Sequence, residues 1–160
     1  MSTPEDEVVN LISTAAASAT DGDQDGRTAV SVHRCDVLVV DDTGASRELL
    51  AAILRNFAGR MTLREARNGA EALRLWNDLN PRITLLDIDM PGEDGLTVLQ
   101  QMRAHRADSF IAMISGSSSM DNVKRALALG ASGFVIKPYK PQRILDLLKK
   151  YSDQSGHRFS

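Results

Sequence analysis

The chain has 160 residues, of which 42% are hydrophobic and 25% are charged, as in an ordinary globular protein with one domain and short tails. The formal net charge is −2 with acids and bases interspersed, which argues against a basic face for nucleic acid or an anionic membrane. No apolar stretch is long enough for a membrane span, Cys35 is alone, and acids at 5–7 stand where a secretory signal would be basic. We therefore expect a cytoplasmic protein without membrane insertion.

Residues 1–34 differ in composition from the rest of the chain, with Ala, Ser, Thr, Asp and Gly dominant. A Thr-Pro start at residue 3 and apolar residues on one face up to Ala19 are compatible with a short helix, although a disordered tail is an equal alternative. The segment 21–26 is typical of a flexible linker. We predict an N-terminal extension over 1–34, one domain over 35–151 and a frayed tail over 152–160.

From Asp36 onward, strand and helix patterns alternate with short turns between them, which predicts βαβ units and an α/β fold with a five-stranded parallel sheet and five helices. The predicted strands are Val37–Val40, Met61–Ala66 at an edge, Ile83–Leu86, Phe110–Ile114 and Phe134–Ile136. The inner face of the first helix is predicted from Leu49, Leu50, Ile53, Leu54 and Phe57. The inner face of the last, which opens at Pro141, is predicted from Ile144, Leu147, Leu148 and Tyr151.

Four of these strands end at a polar side chain. The first runs into Asp41-Asp42, the third into Asp87, the fourth into Ser115 and the fifth into Lys137. Because the carboxyl ends of parallel strands face one crevice in an open α/β sheet, we expect these groups to converge there.

Three crowded carboxylates repel one another unless a cation compensates them. A hard divalent cation with oxygen ligands fits best, so Mg²⁺ is the expected metal, with Mn²⁺ as an alternative, and Lys137 supplies a further positive charge. Such a set binds an anionic phosphoryl group beside an acid, and carboxylates act as nucleophiles in forming aspartyl phosphates. We predict Asp87 as the nucleophile, with Ser115 donating a hydrogen bond to a transferring oxygen.

These residues match a known pattern. The chain resembles the receiver domain of two-component response regulators, stand-alone chemotaxis-type members included, over about residues 36–151. The likeness is carried by Val39-Val40-Asp41-Asp42, Leu85-Leu86-Asp87-Ile88-Asp89-Met90-Pro91-Gly92-Glu93-Asp94-Gly95, Ile114-Ser115-Gly116 and Gly130-Ala131-Ser132-Gly133-Phe134-Val135-Ile136-Lys137-Pro138. The resemblance implies a doubly wound, flavodoxin-like sheet with strand order 2-1-3-4-5.

The resemblance also implies roles. Asp87 would accept a phosphoryl group from a phosphohistidine on a histidine kinase or a phosphotransfer domain. Asp42 would ligate Mg²⁺ directly, Asp41 through water and Asp89 through its backbone carbonyl. Ser115 would be the switch hydroxyl and Phe134 the switch aromatic, which would turn inward on phosphorylation.

A partner protein would then read the surface formed by the fourth helix, the fifth strand and the fifth helix, near Met120, Lys124, Phe134 and Tyr139. Phe134 lacks the hydroxyl of a tyrosine at this position. We further expect Asp89 and Ser117 to tune the lifetime of the phosphorylated state.

Three alternatives stay open. Asp87-Ile88-Asp89 also resembles the nucleophile motif of haloacid-dehalogenase-type phosphatases, although there the motif opens the domain. An intermediate shuttle in a phosphorelay would carry the same residues as a switch. A third possibility is that the N-terminal segment mediates self-association or anchors the module on its partner. Because the sequence ends soon after the fifth helix, we expect output by docking to another protein.

Overall fold

The computed structural model describes residues 32–117 and 119–159, and the predicted N-terminal helix and linker lie outside these residues. Strands and helices alternate strictly along the described part of the chain. The strands are β1 (Val37–Val40), β2 (Leu63–Ala66), β3 (Ile83–Asp87), β4 (Phe110–Ser115) and β5 (Gly133–Ile136). The helices are α1 (Gly44–Phe57), α2 (Gly69–Leu79), α3 (Gly95–His105), α4 (Met120–Ala128) and α5 (Pro141–Ser155).

The sheet has the order β2-β1-β3-β4-β5, with every neighbouring pair parallel. This confirms the predicted α/β fold, the flavodoxin-like strand order and the edge position of β2. Every residue of β1, β3 and β4 is buried, which explains why these strands are mostly apolar and do not alternate with polar residues.

Helices cover both faces of the sheet, and two apolar clusters result. One cluster joins the sheet to α2, α3 and α4, with Trp76 fully buried at its α2 side. The other joins the opposite face to α1 and α5, through residues such as Leu54 and Leu148. Each cluster excludes water from one side of the strands, so the polar groups at the strand ends are held by rigid elements.

The first helix is rotated relative to the sequence prediction. Its buried residues are Leu50, Ala51, Ile53 and Leu54. Leu49 and Phe57, which were predicted on the inner face, are 52% and 49% exposed. Leu49 lies about 160° around the helix from Ala51, so a buried stripe that includes Ala51 leaves Leu49 at its margin, and Phe57 is exposed as the last residue of the helix.

The end of the chain differs from the predicted frayed tail. The last helix continues to Ser155 and ends at Gly156, which has a left-handed backbone with φ of 78°. Beyond it, the rings of His157 and Phe159 lie 6.4 and 5.8 Å from the ring of Tyr151. These aromatic contacts hold residues that composition alone assigned to solvent. Within the described ranges, no helix is long and apolar enough to cross a membrane.

Candidate functional site

Strand register brings the predicted site residues to one edge of the sheet. Val40 of β1 pairs with Leu86 of β3, so Asp41 follows beside Asp87. Asp87 pairs with Ile114 of β4, so Ser115 is the next residue along that strand. Ser115 in turn pairs with Ile136 of β5, and Lys137 donates its backbone N–H to the Ser115 carbonyl over 2.7 Å. The predicted convergence of the strand ends is thus present.

Lys137 contacts two of the acids. Its Nζ lies 2.9 Å from Asp41 Oδ2 and 3.4 Å from Asp87 Oδ2. The side chains of both acids are 1% exposed, whereas that of Lys137 is 24% exposed. The peptide bond between Lys137 and Pro138 is cis. An ammonium from β5 therefore partly neutralises carboxylates at the ends of β1 and β3.

Burial dominates the electrostatics of Asp87. Loss of solvent raises the pKa of its carboxyl to about 6, because Lys137 only partly offsets that penalty and the Asp41 charge adds to it. For Lys137, burial alone would lower the pKa of the ammonium, but the hydrogen bond to Asp41 and the charge of Asp87 raise it overall. The site therefore combines an aspartic acid with a raised pKa and a lysine that stays charged.

A bound metal cation would neutralise the negative charge that Lys137 leaves uncompensated. Asp41, Asp42 and Asp87 each offer a carboxylate oxygen within 4.8 Å of the others. Oxygen donors with a net negative charge suit a hard divalent cation such as Mg²⁺, and the exposure of Asp42 leaves a path from solvent. The donor set therefore fits the predicted metal.

The loop after β3 is shaped by a close backbone contact. The N-terminus of α3 packs so tightly against the end of β3 that a Cβ on Gly95 would lie 2.1 Å from the carbonyl oxygen of Asp87. Gly95 N–H donates to the Ile88 carbonyl over 3.1 Å, and the Asp94 side chain caps α3 through the Leu96 N–H. Glycine is required here because a side chain would collide with the backbone that carries Asp87.

Asp89 and Ser115 are joined by a hydrogen bond that the sequence did not indicate. The Ser115 hydroxyl donates to Asp89 Oδ2 over 3.2 Å, and the Gly116 N–H donates to the same oxygen over 3.1 Å. Ser115 Oγ accepts from the Ser117 N–H at 3.1 Å, while the Asp89 N–H donates to Asp87 Oδ1 at 3.2 Å. The carboxylate two residues past Asp87 thus contacts the predicted switch hydroxyl.

Two aromatic residues differ from the expected partner surface. Phe134 is 3% exposed and belongs to the cluster with α2, α3 and α4, so its ring is already buried in this conformation. Tyr139 is 8% exposed, and its hydroxyl donates to the Ser46 carbonyl in α1 over 3.1 Å. Its assignment to the surface of α4, β5 and α5 was therefore wrong, because α1 covers it. Lys124 is exposed, and Met120 is half-buried.

Sequence reasoning also missed two supports of Asp41. Arg47 in α1 donates to the Asp41 carbonyl over 2.7 Å and pairs with Glu65 at 3.1 Å. The Thr43 N–H donates to Asp41 Oδ1 over 2.9 Å. The helical spacing of Arg47 gives no hint of the first contact, which depends on how α1 is set against the strand end.

The fold and this edge define a class of protein, namely a doubly wound parallel α/β module with an acidic, lysine-paired site at the carboxyl ends of its strands. Residues 37–149 match the family described as the response regulator receiver domain. The chain belongs to this family. Receiver domains are signalling modules, and the match favours that class over the phosphatase alternative.

Several relatives share this domain. The chain is 34% identical to the chemotaxis protein CheY of Bacillus subtilis, over 74% of this chain and 96% of that protein. It is 37% identical to the positive alginate biosynthesis regulatory protein of Pseudomonas aeruginosa, over 73% of this chain and 47% of that protein. It spans 50% of a probable C4-dicarboxylate response regulator of Priestia megaterium, at 30% identity.

Solved structures agree with the fold. The receiver domain of NtrX from Brucella abortus superposes with a TM-score of 0.69 at 33% identity, covering 75% of this chain and all of that one. Relatives thus include proteins matched almost whole and proteins of which the receiver is only about half.

Proposed function

We propose that the protein is a phosphorylation-switched signalling module whose Asp87 accepts a phosphoryl group from a phosphohistidine on a histidine kinase or phosphotransfer protein. The observation that carries this proposal is the position of Asp87 at the end of β3. Its carboxylate is 3.4 Å from Lys137 and within reach of the two acids at the end of β1. Membership of the receiver family supports the same chemistry.

The transfer step needs a nucleophilic oxygen and a stabilised anion. An oxygen of Asp87 attacks phosphorus, the new O–P bond forms as the P–N bond to imidazole breaks, and the released histidine takes up a proton. The product is a mixed anhydride, and later attack by water returns the carboxylate and inorganic phosphate. With a pKa of about 6, Asp87 is mainly ionised at neutral pH and so is ready to attack.

The surrounding residues stabilise the negative charge of the phosphoryl group and orient it. Lys137 neutralises charge on the transferred oxygens, and Ser115 donates a hydrogen bond to one of them once it leaves Asp89. Asp41, Asp42 and Asp87, with the Asp89 carbonyl, would hold the Mg²⁺, with Mn²⁺ as a substitute. When bound, this metal supplies Lewis-acid stabilisation of the phosphoryl oxygens.

Output would come from docking to a second protein through α4, β5 and α5, with Lys124 as an exposed member of that surface. The chain covers 96% of a relative named as a chemotaxis protein, which supports a stand-alone mode of action. We place this action in the cytoplasm as part of the same proposal. A shuttle within a phosphorelay is the alternative, and it differs in that a second histidine would recover the phosphoryl group.

The lifetime of the phosphorylated state would depend on Asp89 and Ser117, since both lie beside Ser115 and hydrogen-bond to it. Measuring phosphate release from phosphorylated Asp89→Asn and Ser117→Ala variants tests this. Equal release rates for both variants and the wild type would contradict it.

Intact-mass spectrometry after incubation with Mg²⁺ and acetyl phosphate tests the proposal. We expect one phosphoryl adduct per chain that requires the metal, vanishes in Asp87→Asn and persists in Asp78→Asn, a variant of an exposed acid in α2. Multiple turnover of a small phosphate ester, without accumulation of an adduct, would instead indicate a phosphatase.

A further inference from the structure

The hydroxyl of Ser115 is held on the side of Asp89 in this conformation. Ser115 Oγ donates to Asp89 Oδ2 at 3.2 Å, and the adjacent Gly116 N–H donates to the same oxygen at 3.1 Å. Ser115 is fully buried, so its hydroxyl has few alternative partners, whereas Asp89 is exposed. Because two donors bind the same carboxylate oxygen, Asp89 holds the start of the β4–α4 connection in one position.

A serine hydroxyl has one proton and can donate to one acceptor at a time. A hydrogen bond from Ser115 to a phosphoryl oxygen on Asp87 therefore requires loss of the bond to Asp89. The two arrangements exclude each other, which is the requirement for a two-state element.

We propose that Asp89 is a latch that stabilises the unphosphorylated conformation by competing with the phosphoryl group for the Ser115 proton. This inference rests on the proposed function, since it concerns the regulation of the same site, and it assigns Asp89 a positioning role through Ser115. The latch acts on the equilibrium between two conformations and is separate from any effect of Asp89 on hydrolysis.

The latch lowers the apparent affinity for a phosphoryl mimic, because part of the binding free energy is used to release Ser115. The bond is charge-assisted but somewhat long and partly exposed, so a moderate effect is expected. Replacing Asp89 by alanine should tighten binding of the mimic on the order of three- to tenfold. Asp89→Asn should have a smaller effect through the latch, because the amide oxygen still accepts from Ser115.

Charge repulsion between Asp89 and an anion would also weaken binding, and a double-mutant cycle separates the two causes. The Kd of beryllium fluoride in saturating Mg²⁺ is measured by NMR titration for the full chain, Asp89→Ala, Ser115→Ala and the double variant. The latch predicts that the gain from Asp89→Ala is smaller in the Ser115→Ala background, where only the relief of charge repulsion remains. An equal gain in both backgrounds, or no gain in either, would overturn the latch.

A second measurement does not depend on phosphoryl chemistry. In metal-free, unphosphorylated protein, amide hydrogen exchange of Gly116 should be several-fold faster in Asp89→Ala than in the wild type, and unchanged in Glu93→Gln, the control for another acid in the β3–α3 loop. Unchanged exchange in Asp89→Ala would overturn the latch. Failure of the wild type to form a phosphoryl adduct would refute the proposed function instead, while the exchange result would still decide whether Asp89 holds this loop.

Discussion

Lys137 lies closer to Asp41 than to Asp87, with its Nζ 2.9 Å from Asp41 Oδ2 and 3.4 Å from Asp87 Oδ2. The lysine from β5 therefore bridges the ends of β1 and β3, two strands that are direct neighbours in the sheet. The charge balance of the site therefore depends on Lys137, which follows the edge strand β5.

Removal of this bridge should destabilise the protein. In Lys137→Met, two almost fully buried carboxylates lose their cation, and we expect the free energy of unfolding at pH 8 in EDTA to fall by about 1–3 kcal/mol, less than for a completely buried pair. Urea unfolding measures the change. Lys124→Met, at an exposed position in α4, serves as control and should change stability by less than about 0.5 kcal/mol. Equal stability of Lys137→Met and wild type would contradict the role of the bridge.

The raised pKa of Asp87 predicts a pH-dependent difference from Asp87→Asn. The pKa of an unperturbed aspartic acid is 3.8 and that of Asp87 in the folded protein is about 6, so the group favours folding below pH 3.8, and this contribution is lost as the pH rises through 6. In EDTA, Asp87→Asn should match the wild type near pH 4 and exceed its stability by about 1–3 kcal/mol at pH 8. Denaturant unfolding across this range checks it, and a constant difference at all pH values would exclude the burial penalty as the cause.

Metal binding should stabilise the fold through the acid cluster. A ligand that binds only the folded state, at ten times its Kd, adds about 1.4 kcal/mol to the free energy of unfolding. We expect this gain from Mg²⁺ in the wild type and in Asp78→Asn, and its loss in Asp42→Asn, whose exposed carboxylate contributes to the cluster. Thermal unfolding with and without Mg²⁺ measures the gain. A full gain in Asp42→Asn would place the metal elsewhere.

The contact between Gly95 and the backbone of Asp87 should be intolerant of a side chain. A Cβ at Gly95 would lie 2.1 Å from the Asp87 carbonyl oxygen, whereas one at Gly59 would have nothing within 4 Å. Gly95→Ala should therefore cost about 2–4 kcal/mol of stability and reduce phosphorylation, while Gly59→Ala should stay within about 1 kcal/mol of the wild type. Similar stabilities of the two variants would show that the α3 terminus can move without cost.

The sequence predicted the strands and the convergence of Asp41, Asp87, Ser115 and Lys137 because topology alone determines which strand ends meet. It could not predict the bond from Ser115 to Asp89, since that contact depends on loop geometry and side-chain rotamers. The rotation of α1 that exposes Leu49 was missed for a related reason, because a run with adjacent leucines fits two helix faces about equally well.

The last helix illustrates a third limit. Residues 152–159 have a polar composition that is typical of a tail, yet Phe159 packs near Tyr151. A single aromatic residue gives no periodic signal, so only the folded chain reveals its partner.

The position of the phosphoryl group tests the central proposal most directly. Borohydride reduces an acyl phosphate to an alcohol and leaves free carboxylates unchanged, so treatment of the phosphorylated chain followed by peptide mass spectrometry locates the acceptor. We expect homoserine at position 87 only, and only after incubation with Mg²⁺ and the phosphodonor. Homoserine at position 41, 42 or 89, or no homoserine anywhere in a folded, metal-loaded protein, would contradict the assignment of Asp87.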